Sequence, residues 1–131
     1  MPVNGRILVV DDEADTVSLV ELTLGLAGYR FDAAMSGEQA LQRMQEDRYD
    51  VVLLDIMMPQ VSGFDVLARL RSDPQPPPPV IVLTAKGRNE DRERGKALGA
   101  FAYLIKPVTR GELLDTIQRA MGVTLDADAS A

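Results

Sequence analysis

The sequence predicts a doubly wound α/β fold, a five-stranded parallel sheet with helices on both faces. Three observations predict it. Short unbroken apolar runs recur at Ile7-Leu8-Val9-Val10, Val51-Val52-Leu53-Leu54 and Val80-Ile81-Val82-Leu83. Such runs, without polar alternation, mark strands covered on both faces. Strand-like and helix-like segments alternate along the chain, which favours parallel pairing through right-handed crossovers. The 131 residues are 46% hydrophobic and 26% charged, enough apolar material for one domain with one core.

Taken in order, residues 6–10 form the first strand and run into Asp11-Asp12-Glu13. Val17, Val20, Leu24 and Ala27 then repeat at helical spacing, and Gly28 is a natural helix stop. Residues 29–34 read as a short strand. Ser36, three residues before Gln39, opens the second helix with a capping box, and Ala40, Leu41 and Met44 lie on its inner face. Residues 51–54 are the central strand; it delivers Asp55, and Pro59 stiffens the loop that follows. Ser62 caps the third helix, which carries Phe64 and Leu67. The run Pro74-Gln75-Pro76-Pro77-Pro78-Pro79 is either a polyproline ligand or a stiff loop feeding the next strand; the units that follow favour the loop.

Residues 80–83 form the fourth strand, ending in Thr84. A charged helix capped by Asn89 follows, with Gly95 inside it and only Ala97 and Leu98 as apolar contacts, so it is expected to be the least firmly held element. Residues 101–105 form the fifth strand, ending in Lys106-Pro107. Thr109 and Glu112 make a second capping box before a helix bearing Leu113, Ile117, Ala120 and Met121. The expected domain spans 1–122, with a flexible tail over 123–131.

Composition narrows the function. The net charge of −6 disfavours nucleic-acid binding, which needs a basic face. The chain has no Cys and no His, so disulfides, thiolate metal sites and histidine-based triads are excluded. Met1 to Arg6 lacks the apolar core of a signal peptide, and no apolar run is long enough to span a membrane. A soluble cytoplasmic protein is the expectation.

In an open parallel sheet, ligands bind at the carboxyl ends of the strands, at the point where the strand order reverses. With the order 2-1-3-4-5, Asp11, Asp12 and Asp55 face one another there, with Thr84 and Lys106 on the neighbouring ends. Any one of these could simply terminate a strand; together they form a chemical set. Two like charges about 4 Å apart repel by about 4 kcal/mol at an effective dielectric of about 20. Three carboxylates therefore need counter-charge, from Lys106 and from a hard cation such as Mg²⁺. Asp55 can then act as a nucleophile toward a phosphoryl group, with Thr84 and Lys106 stabilising its oxygens.

These residues resemble the receiver domain of two-component response regulators. The matching pieces are residues 7–13, 52–59, 82–85 and 103–107, and the likeness covers residues 6 to about 121. It implies a flavodoxin-like (βα)5 fold and a phosphorelay protein that catalyses only its own phosphorylation and dephosphorylation. Asp55 would accept a phosphoryl group from a phosphohistidine on a sensor kinase or phosphotransfer protein. Asp12 and Asp55 would bind Mg²⁺, helped by Asp11 and the backbone carbonyl of Met57, and Lys106 would clamp the phosphate. Thr84 and Tyr103 would be the switch pair: the phosphoryl group draws the Thr84 hydroxyl inward, and Tyr103 rotates into the space it leaves. A downstream protein or effector domain would read the surface of the fourth helix, fifth strand and fifth helix. The resemblance and the aim of Lys106 also imply a cis Lys106–Pro107 bond.

Phe101-Ala102 stands where many members carry an acidic pair, so an apolar partner contact replaces a charged dimer contact in this expectation. Three rivals stand beside it. A Mg²⁺-dependent phosphatase of the haloacid dehalogenase type needs a second Asp two residues after the nucleophile, where this chain has Met57. A flavin or dinucleotide domain needs a glycine-rich loop after the first strand, where this chain has Asp11-Asp12-Glu13. A degenerate receiver would serve only as a docking scaffold, which the complete set of Asp, Thr and Lys opposes.

Overall fold

The apolar runs pair into one sheet. In the computed structural model, which describes residues 5–129, the strands are β1 (Arg6–Val10), β2 (Arg30–Ala34), β3 (Val51–Leu54), β4 (Val80–Thr84) and β5 (Ala102–Ile105). They are all parallel, in the order β2-β1-β3-β4-β5. The helices between and after them are α1 (Ala14–Leu26), α2 (Gly37–Glu46), α3 (Gly63–Ser72), α4 (Asn89–Ala97) and α5 (Arg110–Ala129).

Successive strand side chains point to opposite faces, so the buried strands feed two cores. Leu8, Val10, Val52, Leu54, Val80, Val82 and Tyr103 meet Ala40 of α2, Phe64, Leu67 and Leu70 of α3, and Leu98 after α4. Ile7, Val9, Val51, Leu53, Ile81 and Leu83 meet Val17, Val20 and Leu24 of α1 and Leu113, Ile117 and Ala120 of α5. Each buried aliphatic side chain contributes about 1.5–3 kcal/mol. This double burial is why the strand runs carry no polar residue.

The helix ends follow local chemistry. At the end of α1, Gly28 takes a φ of 89°. Its N–H donates to the Gly25 carbonyl at 3.1 Å, and the Tyr29 N–H donates to the Leu24 carbonyl at 3.0 Å, the paired bonds of a Schellman stop. Ser62 accepts from Asp65 N while the Asp65 carboxylate accepts from Ser62 N, a complete capping box. At α2 only half of the expected box forms: Ser36 Oγ accepts from Gln39 N at 3.1 Å, but Gln39 Oε1 takes the Met35 N–H at 2.7 Å. Thr109 Oγ1 accepts from Glu112 N at 3.1 Å.

Other expectations shift. Asn89 is not a cap but the first residue of α4; the cap position falls to Arg88, which makes no side-chain bond there. Phe101 lies before β5 rather than in it, and it is exposed. Helical backbone runs as far as Ala129; of the tail expected over 123–131, Ser130 and Ala131 lie outside the described residues. The proline run is a loop: Pro79 offers its carbonyl to Val52 N at 3.0 Å, while Pro74, Pro76 and Pro77 are exposed.

Gly63 holds the tightest junction near the strand ends. A Cβ there would stand 2.5 Å from Ile56 Cα and 2.7 Å from the Asp55 carbonyl oxygen. Only a bare Cα lets α3 start directly against the end of β3. Gly63→Ala should therefore destabilise the protein by about 2 kcal/mol through overpacking, read from the midpoint of a denaturant titration.

Candidate functional site

The sheet ladder runs one rung past the strands, and those rungs place the site. Val10 pairs with Leu54 in register, so Asp11 and Asp55 follow side by side. Asp11 N donates to the Ala34 carbonyl at 3.1 Å, Asp55 N to the Val10 carbonyl at 3.0 Å, and Lys106 N to the Thr84 carbonyl at 2.8 Å. The backbones that carry the site are therefore part of the sheet. The Lys106–Pro107 peptide that follows is cis, as expected.

Local turns then aim the carboxylates. Asp11 Oδ1 accepts from Glu13 N at 2.9 Å, and Asp55 Oδ1 accepts from Met57 N at 2.8 Å. Each Asp thus bonds the N–H two residues on, which leaves its other oxygen for the crevice. Lys106 Nζ reaches both free oxygens, 2.8 Å from Asp11 Oδ2 and 3.0 Å from Asp55 Oδ2. Thr84 Oγ1 donates to Asp55 Oδ1 at 2.8 Å. Asp11, Asp55 and Thr84 are all buried. Burial alone would lower the Lys106 pKa, but the hydrogen bonds and charges of Asp11 and Asp55 outweigh it and hold the ammonium above its ordinary value.

One oxygen from each of Asp11, Glu13 and Asp55 lies within 4.8 Å of the others, a set able to hold a metal ion. Asp12 is exposed and stands outside this trio. Glu13 was not among the residues singled out from the sequence; its place in the acidic run after β1 was the available signal. Met57 follows Asp55 with an exposed side chain.

Tyr103 is buried, and its hydroxyl donates to the Lys86 carbonyl at 2.6 Å. Thr84 and Tyr103, the expected switch pair, both lie inward in this structure. The reason is space: α4 presents Gly95 to the ring, where a Cβ would come within 3.1 Å. Burial, followed by the charge of Asp91, raises the Tyr103 pKa.

With fold and crevice in place, known proteins supply the class. The family model described as response regulator receiver domain matches residues 7–118, and the chain belongs to that family. It is 39% identical over 126 residues to the probable transcriptional regulator ycf27 of Guillardia theta, covering 96% of this chain and 49% of that protein. It is 43% identical over 113 residues to the transcriptional regulatory protein CpxR of Escherichia coli, covering 86% and 47%. The chain thus spans about half the length of these curated relatives. Among solved structures, the chemotaxis protein CheY4 of Vibrio cholerae superposes with a TM-score of 0.82 at 36% identity, covering 88% of this chain and 97% of that one. The receiver domain of Francisella response regulator 1452 gives 0.86 at 30% identity, covering 92% and 99%. The chain is therefore a doubly wound receiver of the kind used in two-component signalling. No helix among the described residues is long and apolar enough to cross a membrane.

Removing the central cation should expose what it does. Lys106→Met leaves two buried carboxylates facing each other and should cost about 3 kcal/mol near neutral pH. A Lys with a raised folded pKa stabilises fully below its unfolded value of 10.5 and loses that contribution as pH rises through the folded value. The gap between wild type and variant should therefore close above pH 10.5, as measured by denaturant titrations on either side of that value.

Proposed function

We propose that Asp55 is the phosphoryl acceptor of a phosphorelay, taking the group from a phosphohistidine on a sensor kinase or phosphotransfer protein. The observation that carries this reading is the convergence of Thr84 Oγ1 and Lys106 Nζ on the two oxygens of one buried carboxylate. Asp55 Oδ1 accepts two hydrogen bonds and Oδ2 one, so Oδ2 keeps the freer lone pairs and is the nucleophile. It forms an O–P bond as the N–P bond to the donor imidazole breaks, and the imidazole leaves with the electron pair. Lys106 and Thr84 then stabilise the phosphoryl oxygens.

The donor set is entirely oxygen, which fits a hard divalent cation, and we assign Mg²⁺ to it. Asp11, Asp55 and Glu13 would hold the ion, together with Asp12 and the Met57 carbonyl. Bound there, Mg²⁺ offsets the repulsion between the carboxylates and an incoming anionic phosphoryl group.

The output surface in this reading is α4, β5 and α5. Phosphorylation shifts the population between arrangements of Thr84, Tyr103 and α4 that exist beforehand. Exposed Phe101 beside β5 supports apolar docking of a downstream protein or effector domain on this face. The named function of the longer relatives, transcriptional regulation, makes a DNA-binding effector one candidate for the part this chain would control.

Acetyl phosphate with Mg²⁺ tests the assignment. We expect a base-labile adduct on Asp55 alone, lost on chelation of Mg²⁺ and absent in Asp55→Asn. Labelling of that variant to the wild-type level would refute Asp55 as acceptor. Continuous turnover without a lasting adduct would point to the phosphatase, and no reaction to the docking scaffold.

A further inference from the structure

Helix α4 faces the sheet with an unusual set of residues. Asp91, Gly95 and Leu98, at i, i+4 and i+7, are its only positions not exposed, counting Leu98 just after the helix. A carboxylate therefore occupies a place where helical spacing calls for an apolar side chain. Its side chain is 13% exposed, and Oδ2 is buried with no hydrogen-bond partner. Leaving a buried carboxylate oxygen unpaired costs free energy, so α4 docks against a penalty that a Leu at this position would remove.

One cation lies within 4 Å of Asp91 among the described residues, the Lys86 ammonium at 3.7 Å from Oδ1. Lys86 is also tied to the crevice through its backbone. Its N–H donates to Thr84 Oγ1 at 3.3 Å, and the hydrogen of that hydroxyl goes to Asp55 Oδ1. The Lys86 carbonyl takes the Tyr103 hydroxyl at 2.6 Å. With its N–H on Thr84, its carbonyl on Tyr103 and its ammonium on Asp91, Lys86 is the residue through which crevice and helix meet.

We propose that Asp91 is a positioning residue: through Lys86 it holds the loop 85–88 so that the Thr84 hydroxyl stays on Asp55, and so ties the docking of α4 to the state of the crevice. This rests on the reading of Asp55 as phosphoryl acceptor. A hydroxyl has one hydrogen to give, and the Lys86 N–H on its lone pair keeps that hydrogen aimed at Asp55. With Asp91 neutral, Lys86 has no charged partner on α4, and the loop and the helix move independently. Coupling of this kind is reciprocal: whatever binds at Asp55 must favour docked α4 by the same factor that docked α4 favours binding.

The test uses beryllofluoride with Mg²⁺ as a non-covalent phosphoryl mimic, followed by amide NMR shifts at residues 55–57 and 89–98. The variants are Asp91→Asn, Asp91→Glu, Lys86→Met and the double Asp91→Asn/Lys86→Met. Asp91→Asn should raise the half-saturating beryllofluoride concentration about fivefold and shrink the response at 89–98. Asp91→Glu should restore most of both. The double variant should be no worse than either single one, because both break one interaction. Mimic affinity within twofold of wild type, with only a lower melting temperature, would reduce Asp91 to a packing residue and overturn the proposal; so would additive single effects. Should Asp91→Asn fail to fold, Lys86→Met carries the same comparison, since its side chain is 44% exposed. If wild type binds no mimic at Asp55, the acceptor reading falls and this proposal with it. If wild type binds and responds but the variants match it, only this proposal falls.

Discussion

The Lys106 ammonium between Asp11 and Asp55 is the constraint on which the rest of the structure depends. Two carboxylates side by side and nearly without solvent repel each other, and the cation between them offsets that repulsion. The cation comes from the last strand and the carboxylates from the first and third, so the crevice is assembled only when the whole sheet is. Charge balance thus makes the site a readout of the completed fold. The same pair of carboxylates, with Glu13, makes up the acidic set able to hold a metal ion.

The site borrows its rigidity from the sheet. The backbone of Asp11, Asp55 and Lys106 makes one more ladder bond each, and an N–H two residues on fixes Asp11 Oδ1 and Asp55 Oδ1. Side chains held this way lose little entropy when a ligand arrives, which is the basis of preorganisation. The opposite holds for α4, where Asp91 and Gly95 replace apolar contacts. The molecule therefore places a stiff chemical centre beside a weakly docked helix.

The far edge of the sheet shows a second way of settling charge. Arg6 contacts Asp32 at 2.6 Å and Asp47 at 3.3 Å, and lies 5.1 Å from the centre of the Tyr49 ring. The Tyr49 hydroxyl donates to Asp32 at 2.7 Å, and burial together with that bond pushes its pKa up to about 12. Here every charge has a fixed partner and the cluster ties β1, β2 and the segment before β3 together. The crevice at the other edge sets two carboxylates against a single cation, Lys106.

Much of this was legible in the sequence. Unbroken apolar runs such as 51–54 announce strands buried on both faces, because any polar residue there would lose its water. The residue after each run announced the site, because Asp11, Asp55 and Lys106 take their positions from the ladder itself. Ser62 and Gly28 spoke through local geometry that neighbouring residues alone determine. What tertiary structure decided depends on neighbours far away in the chain. One oxygen of Glu13 lies within 4.8 Å of Asp11 and Asp55 because the turn after β1, in which Glu13 N donates to Asp11 Oδ1, brings it back beside them. Asp91 looked like one charge among many in a polar helix; only the docking of α4 on β5 shows that it points inward. Tyr103 lies inward because Gly95, on a different element, leaves room for its ring. Periodicity assigns residues to a face, but which groups then meet depends on how two faces pack, and no local pattern contains that.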